Sequence, residues 1–167
     1  MPLLKKTLDV QTGKVKIAKG DIVIKSIAIG SCIAITVYDV KKRIGGLAHI
    51  MLPGKAPGKT IEKTRYSENA IDELLIRMAR EGSRKSDAEM CLVGAGNVLK
   101  KPDDTICSAN IESTTQLLKK KNIPIRATML GGTDRKGVFL DVASGTVSCT
   151  TGDGSEKVLW KPTVLES

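Results

Sequence analysis

The chain is poor in aromatic residues, with one Trp, one Phe and two Tyr among 167 residues. Its core must therefore be packed from Ile, Leu, Val, Met and Ala, whose well-defined rotamers still reach native density. The same scarcity argues against a single-stranded nucleic-acid platform, because such binders stack bases on aromatic rings and Tyr38, Tyr66, Phe139 and Trp160 are scattered. Histidine is scarcer still, with His49 alone. No C-x-x-C pair occurs among Cys32, Cys91, Cys107 and Cys149, which argues against a Cys/His zinc site. No window approaches the ~20 apolar residues of a membrane span, and the opening MPLLKKTLDV lacks the apolar stretch of a secretory signal. The expectation is a cytoplasmic chain without membrane insertion, whose four cysteines have no reason to pair.

What the chain does carry is positive charge. Lys and Arg number 27 against 18 Asp and Glu, a net +9, partly in the runs Lys41-Lys42-Arg43, Lys100-Lys101 and Lys119-Lys120-Lys121. Each run reads either as a solvated face or helix end, or as a surface that steers toward an acidic partner. Nucleic acid as that partner rests on charge alone.

The length suits one domain that buries about 70% of its unfolded surface. Residues 14–153 are expected as the core, with 1–13 and 154–167 as peripheral arms. Apolar, β-branched runs predict strands at 14–19, 22–29, 33–39, 44–52, 88–94, 124–130, 137–142 and 146–150. Ile71, Leu74, Leu75 and Met78 recur at helical spacing, predicting a helix over 67–81 with Ser67 as N-cap and Gly82 as C-cap. A second helix is expected from about Ser108 to Lys121, stopped by Asn122 and Pro124. Two main helices against about eight strands predict an α/β fold, a layered α/β/β domain with the helices packed outside a β-sandwich or mixed sheet.

Within SIAIGSCIAITVYD, residues 26–39, the small residues Gly30-Ser31-Cys32 interrupt an apolar run at a cost in strand propensity. Two readings stand. Gly30 can take the backbone through a bend closed to other residues, lifting Cys32 out of the sheet and turning successive N–H groups toward one point, as attack on a carbonyl requires. Alternatively, the stretch is a glycine bulge with a buried cysteine. A catalytic thiol wants a base within hydrogen-bond reach, and His49 follows seventeen residues later in an apolar strand. A core histidine bonded to backbone is the competing reading there. Gly45 and Gly46 would let another backbone or a substrate approach. Cys91 and Cys149 read as buried strand residues, and Cys107 lies at a loop-to-helix boundary.

Together, IGSC after a β-run, AHIMLP a short hairpin later, and a Lys- and Tyr-containing loop leading into a helix resemble the chemotaxis receptor glutamine deamidases of the CheD family. The likeness runs over roughly residues 15–150. Gly30-Ser31-Cys32, Ala48-His49 and Met51-Leu52-Pro53 stand in the family's order and spacing. The resemblance implies a CheD-like domain in which Cys32 is the nucleophile and His49 the base. It sets Ser26 where the family has the Thr that completes the triad, and backbone N–H groups around Gly30, Ser31 and Ile33 would hold the oxyanion. It implies conversion of receptor glutamine to glutamate through a thioester, with ammonia released and neither metal nor cofactor needed, in bacterial or archaeal chemotaxis. Chemoreceptor cytoplasmic helices would be the substrate and the CheC phosphatase a partner, with glutamyl methylesterase activity as a side reaction. Departures lie at Gly94-Ala95-Gly96, at Cys107-Ser108-Ala109-Asn110, where the family's Arg is missing, and at Lys136, where Arg is common. They bear on substrate and partner recognition, while the altered 106–110 segment and Ser26 keep open an alternative, a catalytically weakened adaptor that binds CheC or a receptor.

Overall fold

A computed structural model describes residues 5–163. Two mixed five-stranded sheets stack face to face, and two helices cover the outer face of one of them. The first sheet runs in the order β1 (Lys6–Asp9), β3 (Ile22–Ile29), β8 (Lys136–Asp141), β9 (Thr146–Thr151), β10 (Lys157–Trp160). The second runs β2 (Val15–Lys19), β5 (Ile44–Ile50), β4 (Ile33–Asp39), β6 (Glu89–Gly94), β7 (Ile125–Leu130). Pairing is antiparallel except between β1 and β3 and between β6 and β7.

β4 and β5 are buried along their whole length, because helices cover one face and the other sheet covers the opposite one. Ile33, Ile35 and Val37 of β4 face the helices, while the alternate residues Ala34 and Tyr38 face the first sheet. That double burial accounts for a near-continuous apolar run. Helix α1 (Ser67–Arg80) presents Ala70, Ile71, Leu74 and Met78 to the helix-side core, each of the larger three contributing roughly 1.5–3 kcal/mol by burial. Helix α2 (Ile106–Lys120) adds Leu118 and ends in the basic run, where cations suit the dipole.

Gly45 and Gly46 serve packing rather than substrate approach. A Cβ on Gly46 would meet Leu74 of α1 at 2.9 Å, and one on Gly45 would meet Leu140 of the other sheet at 2.9 Å. Ser67 is the first helical residue, not the N-cap. Its hydroxyl accepts from the Gly54 N–H at 2.9 Å and pairs with Ser113 Oγ at 2.7 Å, joining both helices to the loop after β5. Two strands fall in the expected arms: β1 and β10 close opposite edges of the first sheet. The outermost arm residues, 1–4 and 164–167, lie outside the described residues. No described helix is long and apolar enough to cross a membrane.

Candidate active site

Strands β3 and β4 belong to different sheets, so Gly30-Ser31-Cys32 is the crossover between layers. Just before it the ladder slips: Ser26 pairs with Val138 but Ile29 with Lys136, three steps against two. The bulge places Ala28 at φ +56 and turns Ile27 out to solvent. All three crossover carbonyls are then held. Gly30 C=O accepts from Gly96 N–H at 2.9 Å, Cys32 C=O from Ala95 N–H at 2.7 Å, and Ser31 C=O from Asn110 Nδ2 at 3.0 Å. Among the described residues, the N–H groups of Ser31 and Cys32 have no acceptor. Asn110, fully buried on α2, also donates to Met51 C=O at 3.2 Å, which ties the cysteine loop to the end of the strand bearing His49.

His49 lies opposite Ala34 in the β4–β5 ladder, and Cys32 precedes Ala34 by two residues. Cys32 and His49 are therefore diagonal neighbours on one face, a relation with a spacing of about 7–8 Å between backbones. That face looks into the layer between the sheets, where Ala34, Leu47 and the Cys32 side chain pack. Ser26 looks into the same layer from the first sheet, two residues from buried Ile24. His49 Nδ1 lies 3.2 Å from the Val10 carbonyl, and Ser26 Oγ donates to that same carbonyl at 2.6 Å. Among the described residues, no hydrogen bond joins His49 to Ser26 or to Cys32.

Burial governs the electrostatics. It pushes the Cys32 thiol above its ordinary range and the His49 imidazole below its own, the latter partly offset by the bond to Val10. Burial thus opposes charge on either group. Cys107, the second residue of α2, is pushed up to about 11, first by burial and then by Asp104.

Two expectations about the turn need correction. Gly30 keeps a φ open to any residue, and a Cβ there would touch only Val98, at 3.7 Å. The glycine that the site requires is Gly94, at φ +130, whose Cβ would overlap the Cys32 carbonyl. Nor is the Ile33 N–H free. His49 N–H bonds to Lys14 C=O on the β2 side, so the alternation of an antiparallel strand gives Ile50 its ladder bonds to Ile33.

Two hollows are lined by candidate site residues. One, of about 300 Å³, is lined by Gly30 and Ser31 with Val98, Leu99, Ile106 and Arg135. The other, of about 400 Å³, is lined by Ser26 and His49 with Val10 and Lys25. Lys136, almost fully buried, donates to the carbonyls of Gly131 and, at 3.2 Å, Asp134, and Gly131 N–H in turn bonds Gly94 C=O at 3.0 Å. It braces from behind the turn that holds Cys32, a role Arg's longer fork would also reach.

The family model described as CheD chemotactic sensory transduction matches residues 51–151, well over half of the chain. A "probable chemoreceptor glutamine deamidase CheD" of Chlorobium luteolum is 39% identical over 150 residues, covering 89% of this chain and 75% of that protein. This chain belongs to the CheD family. Proteins of the same name from Methanococcus maripaludis and Methanosarcina barkeri are 35% and 31% identical, covering 87% and 88% of this chain and 95% and 98% of their own. The matched stretch of the CheD model begins two residues beyond His49, so the crossover and its histidine are framed by geometry rather than by that match. Gly94 and Asn110 had a signal in the sequence, as departures from or matches to the CheD pattern. Val10 had none, since its backbone carbonyl is what matters and every residue has one.

Proposed function

We propose that this chain is a chemoreceptor protein-glutamine deamidase, acting in the cytoplasm on receptor helices during chemotaxis adaptation. The observation that carries the reading is that Cys32 lies diagonal to His49 on one inner face, beside two N–H groups without acceptors among the described residues. The names of the relatives point the same way.

In this mechanism His49 Nε2 takes the thiol proton as Cys32 Sγ bonds to the carbon of a glutamine side-chain amide. The N–H groups of Ser31 and Cys32 receive the oxyanion. The imidazolium returns its proton to the leaving nitrogen, the C–N bond breaks, and ammonia departs. Water then loses a proton to His49 as its oxygen adds to the thioester, and the C–S bond breaks to leave glutamate and the thiol. A glutamyl methyl ester would follow the same course with methanol as leaving group. CheC would compete with the receptor for this surface.

The test is peptide mass spectrometry on a chemoreceptor cytoplasmic fragment incubated with the native protein or with Cys32→Ala. Conversion of particular glutamines by the native protein alone is the expected result. A fragment that binds but is converted by neither would replace the enzyme with an adaptor, the reading that the raised thiol and lowered imidazole would then favour.

A further inference from the structure

Residues 10–14 carry the chain from β1 in the first sheet to β2 in the second, and they hold His49 from three sides. Gly13 N–H donates to His49 C=O at 2.7 Å, and His49 N–H donates to Lys14 C=O at 3.0 Å. Val10 C=O faces the ring at Nδ1. Val10 itself is firmly set, since its side chain is 2% exposed and its N–H donates to Lys25 C=O at 2.9 Å, extending the β1–β3 ladder.

A carbonyl oxygen has two lone pairs and no proton, so both of its partners must donate. Ser26 directs its hydroxyl proton to Val10 and has none left for the ring. His49 must present a proton at Nδ1, and a neutral ring then keeps its lone pair at Nε2. That is the reverse of the tautomer a free histidine side chain favours in water.

We infer that the Val10 main-chain carbonyl, rather than the Ser26 hydroxyl, sets the tautomer and direction of the His49 ring, and that Ser26 is a positioning residue acting through Val10. The inference rests on reading His49 as the base for Cys32. It turns the crossover of residues 10–14 into the third member of the apparatus. It also explains why Ser can stand at position 26: the hydroxyl has to reach a fixed backbone oxygen, not orient a ring, so the stiffness of a β-branched side chain matters less.

The chain's single histidine makes the test unambiguous. Nitrogen-15 NMR of the native protein, at a pH where the ring is neutral, should show a protonated Nδ1 and a pyridine-like Nε2. Ser26→Ala should keep that tautomer and lower kcat by about 3- to 30-fold, with Ser26→Thr restoring it. Val10→Gly, which keeps the carbonyl but loses the buried side chain that anchors it, should populate both tautomers and lower kcat with little change in KM. A native ring protonated at Nε2 would overturn the inference, whatever the activity. So would loss of the Nδ1–H tautomer in Ser26→Ala together with a kcat as low as that of His49→Ala. A native protein with the expected tautomer that converts no receptor glutamine would defeat the deamidase reading and leave the assignment of Val10 supported.

Discussion

Replacing Gly94 with Ala should damage the protein far more than replacing Gly30, although Gly30 stands in the motif. At φ +130 a side chain costs about 1–3 kcal/mol in backbone strain. The new Cβ would overlap the Cys32 carbonyl and lie 2.8 Å from Ile29 Cγ2, displacing the carbonyl from Ala95 N–H at a further cost of about 1 kcal/mol. A loss of about 3 kcal/mol, with a urea slope of about 2 kcal/mol/M, lowers the unfolding midpoint by about 1.5 M. Gly30→Ala adds a methyl whose nearest neighbour is Val98 at 3.7 Å and strains no φ, so its stability should stay within about 0.5 kcal/mol of native. Urea titrations followed by circular dichroism measure both. Equal destabilisation by the two changes, or an unaltered Gly94→Ala protein, would refute the assignment of the crossover's support to Gly94.

Asn110→Ala strips donors from the Ser31 and Met51 carbonyls and should cost roughly 2–4 kcal/mol in the same titration, while Asn110→Asp, which cannot donate when ionised, should fare no better. Cys32 is the partly exposed thiol of the four, so iodoacetamide should label it first, with a rate still climbing above about pH 8.5 and slower in His49→Ala; peptide mapping reads this out. The acid limb of kcat/KM should lie below the ordinary imidazole value of 6.5, because burial lowers the His49 pKa. The stability tied to neutral His49 is, by the same sign, complete above about pH 6.5 and lost as pH falls through the folded pKa, which urea midpoints between pH 7 and 5 would show. With a net charge of +9, the second-order rate on an acidic receptor helix should fall as salt rises, and a flat response would remove electrostatic steering from the account.

Much of this architecture was legible along the chain. Periodicity alone locates α1, because Ile71, Leu74 and Met78 share one face that must find a core. It also locates β3 and β4, since β-branched runs bounded by small residues admit few other structures. The start of α2 at Ile106 and the short strand β1 escaped it: Ile106 and Cys107 precede the Ser taken as the helix's opening residue, and KTLD carries no continuous apolar run.

The candidate site divides along the same line. The residue types at 30–32 and at 49 announce a thiol and an imidazole, and their local spacing is compatible with neighbouring strands. Tertiary structure decided which groups surround them. Val10, Ala95, Gly96 and Asn110 come to the site from three other parts of the chain, and they act through backbone oxygens, backbone N–H groups and one buried amide. A backbone group is the same at every position, so no residue code marks it as special. It acquires a role when folding brings one particular carbonyl or N–H within 3 Å or so of a side chain that needs a partner.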